Sequence, residues 1–107
     1  MHIEILYAAD GMPQAHPAEC IVRAGTRVTW RTQTGAAAFE LEFEGGSPGT
    51  DAFAPRLRDQ RAFPSRSEGG RQKVGISARD VDRETRLKYD VVANGHRLDP
   101  AIIIRPR

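Results

Sequence analysis

A chain of 107 residues with 39% hydrophobic and 28% charged side chains and a net charge of +2 is not disordered, since disorder needs fewer apolar residues and a larger net charge. The length suits one domain over 1–107, which hides roughly two-thirds of its unfolded surface without a staple. A lone cysteine, Cys20, excludes an internal disulfide and a thiolate cluster.

His2 to Ala8 alternates into a first strand, ended at Gly11-Met12-Pro13. Pro17 bars a helix nearby. Glu19 to Arg23 is a second strand, and Ala24-Gly25 is a tight turn that needs a positive φ at Gly25. Thr26 to Thr32 is the third, with Val28 and Trp30 on one face and Arg27, Thr29 and Arg31 on the other. The fourth, residues 39–44, sets Phe39, Leu41 and Phe43 against Glu40, Glu42 and Glu44. One face is packed and the other wet, as in an antiparallel sheet.

Residues 45–71 hold Gly45-Gly46, Ser47-Pro48-Gly49, Pro55, Pro64 and Gly69-Gly70, and are expected to form a long loop. A short helical turn fits Pro55 to Arg61, because proline suits the first helical position. Gln72 to Ser77, Arg86 to Ala93 and Ala101 to Arg105 are the fifth, sixth and seventh strands. The apolar run Ile102-Ile103-Ile104 predicts cover on both faces. Short strands, many turn residues and no long amphipathic helix give an all-β sandwich or barrel of about seven strands.

Three ordered pieces carry a resemblance. They are the run from Glu19 to Trp30, then Phe39-Glu40-Leu41-Glu42-Phe43, then Leu87-Lys88-Tyr89-Asp90-Val91. Their order and spacing resemble the cupredoxin family, the Greek-key β-sandwiches of the blue-copper proteins. The resemblance covers residues 1–44 and 72–107 and implies two histidines, a cysteine and a methionine around copper. Here the first histidine position falls on Phe39, or on Ala38 with a loop one residue shorter. The cysteine falls on Val91, the second histidine on Asn94 and the methionine on Leu98. Phenylalanine, valine and leucine cannot ligate, and a type 1 site needs two imidazoles and a thiolate. The implied fold is therefore cupredoxin-like without the copper ligands, and no cofactor is expected. Cys20 shares the core parity of Val22 and reads as a small buried hydrophobe.

Other chemistry finds little support. His2, His16 and His96 fit no zinc spacing. His96 and Asp99 meet only as loop polarity or as a weak metal site. No nucleophile motif is present, so the chain is not expected to be an enzyme. The carboxylates of Glu40, Glu42 and Glu44 read as a solvated sheet face, paired across strands with Arg27 and Arg31.

Charge is uneven along the chain. Residues 1–53 carry three arginines against seven acids, and 54–107 carry 13 basic residues against seven. The candidate partner- or anion-binding residues are Arg56, Arg58, Arg61, Arg66, Arg71 and Lys73, interleaved with Phe53 and Phe63. Arginines with aromatics can grip single-stranded nucleic acid, but Asp59 and Glu68 dilute this run. The expected function is a non-catalytic binding or assembly module, with a nucleic-acid or anion binder using the 56–73 segment as the alternative. The expected partner is a protein or a second copy of the chain. Nucleic acid and a membrane are not expected partners. No run reaches the roughly 20 apolar residues of a membrane span, and Met1 to Tyr7 has no signal-peptide pattern, so a cytoplasmic location is expected.

Overall fold

The computed structural model describes residues 1–43, 62–78 and 83–106. These residues form strands only: β1 (His2–Tyr7), β2 (Pro13–His16), β3 (Glu19–Arg23), β4 (Arg27–Arg31), β5 (Glu40–Phe43), β6 (Ala62–Pro64), β7 (Arg66–Glu68), β8 (Arg71–Ser77), β9 (Thr85–Ala93), β10 (His96–Leu98) and β11 (Ala101–Arg105). Two mixed sheets face each other. The first has the order β2-β1-β4-β8-β7, and the second β3-β11-β9-β5-β6 with β10 paired to β9. The chain passes from the first sheet to the second at the cis His16–Pro17 bond. Among the described residues, no helix is long and apolar enough to cross a membrane.

The alternation seen in the sequence sets the burial. Ile3 and Ile5, Val28 and Trp30, and Val74 and Ile76 point inward from the first sheet. Cys20 and Val22, Leu41 and Phe43, Leu87, Tyr89 and Val91, and Ile102 and Ile104 meet them from the second. Ile103 is only half-buried, so β11 is covered on one face rather than two. Trp30 is 0% exposed, and its indole N–H donates to the Tyr89 hydroxyl at 3.0 Å. Their rings meet edge to face at 5.6 Å, and Phe43 stacks on Tyr89 at 5.3 Å. Such aromatic pairs add about 0.5–1.5 kcal/mol each beyond the area they bury. The hydrogen bond matters as much, because a buried indole N–H without an acceptor is costly.

Among the described residues, eleven strands stand where about seven are expected. The added ones, β2, β6, β7 and β10, are three or four residues long. That is too short for a period of two to show against its flanks. Residues 62–71 of the expected 45–71 loop are therefore mostly strand. The rest of that loop, with the helical turn expected at 55–61, lies outside the described residues.

A second expectation fails for a topological reason. Arg27 and Arg31 sit on β4 in the first sheet, and Glu40 and Glu42 on β5 in the second. They are on opposite outer faces of the sandwich. Arg31 instead pairs with Glu4 at 2.6 Å, its neighbour on β1, and Arg97 takes Glu42 at 2.6 Å. Glu44 lies outside the described residues.

Candidate functional site: a copper end without ligands and a basic groove

The first candidate is the end of the sandwich where the resemblance puts copper. Val91 is fully buried, opposite Leu41 on β5 and Leu98 on β10. The cysteine and methionine positions thus lie side by side in one apolar row. Phe39 is 3% exposed. Its N–H donates to the Ser65 hydroxyl at 3.0 Å, and its carbonyl accepts the Ser65 N–H at 2.8 Å. Ser65 donates on to Gln72 at 2.9 Å, and the Gln72 N–H donates to the buried Thr32 hydroxyl at 3.0 Å. Backbone and short polar side chains close this corner.

Asn94 has a structural task. With φ of 53° at Asn94 and 78° at Gly95, the pair makes the two-residue turn between β9 and β10. Asn-Gly is the favoured dipeptide for such a turn, because both positions need positive φ. The Asn94 amide also donates to the Gly11 carbonyl at 3.0 Å, tying the hairpin to the β1–β2 turn. Residues between the expected strands 86–93 and 101–105 thus include the turn and return strand of a hairpin. His96 and Asp99 go separate ways: the His96 ring reaches the Asp10 carbonyl at 3.3 Å, and Asp99 pairs with Lys88 at 3.1 Å. Burial raises the Cys20 thiol above its ordinary pKa, which keeps it neutral and poorly nucleophilic. Among the described residues, no group of three or more histidine, cysteine, aspartate or glutamate side chains is placed to hold a metal ion.

The fold has known counterparts. An oxidised mutant of amicyanin superposes with a TM-score of 0.57 at 12% identity, and another with 0.54 at 16%. A reduced Cu(I) form of a third amicyanin mutant gives 0.55 at 14%. Each match covers 98% of this chain and 81% of the other. The fold is cupredoxin-like. The sequence matches no family model and no curated protein. The positions where the resemblance puts the copper ligands hold Phe39, Val91, Asn94 and Leu98, three of them apolar.

The second candidate is on the outer face of the first sheet. The register aligns Glu4, Arg31, Lys73 and Arg66 in one row across β1, β4, β8 and β7, and His2, Thr29 and Gly75 in the next. A groove of about 690 Å³ runs here, floored by Thr29 and Gly75 and walled by Arg27, Arg66, Lys73 and His2. Phe63 and Pro64 of β6 give it an apolar side, and Glu68 is the one acid among its described lining residues. Gly75 is what makes the floor low. A Cβ there would stand 2.4 Å from the Arg27 guanidinium, which reaches over the bare backbone. Among the described residues, neither Arg27 nor Arg66 has an ion-pair partner, and Lys73 touches Glu68 at a loose 3.5 Å.

Two of the six expected binding residues, Arg66 and Lys73, therefore reach a shared groove. Arg71 stands opposite Glu68 at the far end of β7. Arg56, Arg58 and Arg61 lie outside the described residues. Sequence reasoning missed Arg27, His2 and Gly75 as members of this site. One signal was available for Gly75: glycine inside an alternating strand marks close approach of another group.

Proposed function

We propose that this chain is a non-catalytic binding module, and that its ligand is a small anion or anionic group held in the groove over Gly75. One observation carries the reading: the Arg27 guanidinium is laid over a side-chain-free patch of strand, with Lys73 and Arg66 on the same face. Guanidinium donors in a fixed fork suit carboxylate or phosphate oxygens. The apolar wall of Phe63 and Pro64 would take the less polar part of such a ligand. A cytoplasmic setting belongs to the same proposal, since one buried thiol asks nothing of an oxidising compartment.

A nucleic-acid ligand is the competing reading, and charge argues against it. Glu68 stands among the groove's described lining residues, and net charge is only +2. Calorimetric titration with pyrophosphate and with a single-stranded oligothymidylate separates the two. Pyrophosphate binding that is lost in Arg66→Gln and weakened in Gly75→Ala supports the proposal. Tight oligonucleotide binding with a salt slope of roughly −0.7 per phosphate would replace it with the nucleic-acid reading. Binding of neither probe would refute the anion site.

A further inference from the structure

A sheet edge is a row of unpaired N–H and C=O groups, and proteins blunt such edges with brevity, proline or charge. Among the described residues, four strands end the two sheets: β2, β7, β3 and β6. β2 opens on Pro13, β6 carries Pro64, and β6 and β7 have three residues each. β3 differs. It has five residues, no proline, and only apolar side chains, Cys20 and Val22, on its inner face. At its centre Ile21 is 51% exposed. It stands in register with the half-buried Ile103 of β11.

The direction of the free backbone groups can be worked out. The Ala101 N–H donates to the Ala18 carbonyl, and the Ala24 N–H to the Arg105 carbonyl. Alternate residues of a strand turn their groups to the same neighbour. Ala18, Cys20, Val22 and Ala24 therefore face β11, and Glu19, Ile21 and Arg23 present N–H and C=O outward. An antiparallel partner must match outward residues with outward residues. For two identical strands, three registers are close. Centring on Cys20 sets Glu19 against Ile21 and brings Pro17, which has no N–H, against Arg23. Centring on Val22 sets Arg23 against Ile21. Centring on Ile21 sets Ile21 against itself and Glu19 against Arg23 on both sides of the two-fold axis. Only this last register gains opposite-charge pairs. It also joins Ile103, Ile21 and the same residues of the second copy into one apolar row.

We propose that β3 is a self-association edge through which two copies of this chain pair antiparallel about Ile21, making one continuous sheet of their second sheets. The contact is isologous and closes after two copies. Glu19 already meets Arg86 at 3.0 Å, with both side chains about half exposed. Exposed bridges of this kind are weak, and Arg86 can stay beside Glu19 as Arg23 of the second copy arrives. Two five-residue strands cover less area than a stable interface needs, so the dimer is weak and concentration-dependent.

Sedimentation of the whole chain over rising concentration, into the millimolar range, tests this. The expected result is a reversible monomer–dimer equilibrium. Ile21→Lys, which sets two ammonium groups against each other on the axis, should abolish the dimer. Glu19→Arg and Arg23→Glu should each weaken it by about tenfold or more, since both pairs turn repulsive. The double swap should restore it. All these positions are solvent-facing, so the thermal midpoint reports whether each variant still folds. Amide exchange on the unmodified chain gives a second readout: protection at Glu19, Ile21 and Arg23 should rise with concentration. A monomer at every concentration would overturn the proposal, and so would a dimer indifferent to Ile21→Lys and to charge reversal.

Discussion

On the outer face of the second sheet, Arg97 bridges Glu42 at 2.6 Å and Asp90 at 3.0 Å, Lys88 meets Asp99 and Arg105 meets Glu84. On the outer face of the first, Glu4 takes Arg31, Glu68 barely reaches Lys73, and Arg27 and Arg66 turn to the groove without a carboxylate. Both faces are rich in the same residue types. Among the described residues, the second face pairs most of its charges, and the first leaves Arg27 and Arg66 unmatched beside a groove. Exposed ion pairs contribute little stability, so the pairing on the second face mainly cancels potential. Arg27 and Arg66 on the first face line the groove with donors to spare for a ligand.

The comparison assumes that both faces rest on one core, and the core gives the largest expected effect. Trp30→Ala should cost about 3–5 kcal/mol in denaturant unfolding. A loss below about 1 kcal/mol would mean that the ring is not packed between the sheets. Tyr89→Phe probes the same contact from the other sheet and should cost about 1–3 kcal/mol by removing the buried hydrogen bond from the indole N–H to the phenol oxygen. It should also change the alkaline behaviour. Burial, partly offset by the Trp30 hydrogen bond, raises the Tyr89 phenol above its ordinary 10.0. The folded state then holds the phenol proton where the unfolded chain releases it. Stability is fully present below about pH 10 and falls as pH rises beyond it. Replacing Tyr89 should flatten that fall, measured as unfolding free energy against pH.

Asn94→Ala removes a side chain suited to positive φ and its bond to Gly11. A loss of about 1–3 kcal/mol is expected, with Asn94→Gly recovering part of it. Equal effects of the two would show that the turn conformation is not what Asn94 supplies. Smaller still, Glu42→Gln on the self-paired face should change stability by less than about 1 kcal/mol and should not alter anion binding. A binding change there would erase the distinction between the two faces. The smallest expected effect is none: adding Cu(II) should produce no thiolate-to-copper absorption band, because Phe39, Val91, Asn94 and Leu98 stand at the ligand positions.

Much of the architecture was legible because it is local. The Phe39-Leu41-Phe43 alternation, the inward Trp30 and Cys20, and the turn at Ala24-Gly25 all follow from a period of two and from backbone sterics. Short strands such as β6, β7 and β10 were not legible, because three residues carry no period.

By itself, then, the sequence determined the fold class and the inward faces of the long strands. The tertiary structure alone decided which charges meet. Arg97 finds Glu42 across 55 residues, and Arg31 finds Glu4 across 27. The groove gathers Arg27, Arg66 and Gly75 from three separate strands. Side-chain period is a property of a few neighbouring residues. Strand order and register are set by burying both inner faces at once, and only that global packing brings distant residues to one surface.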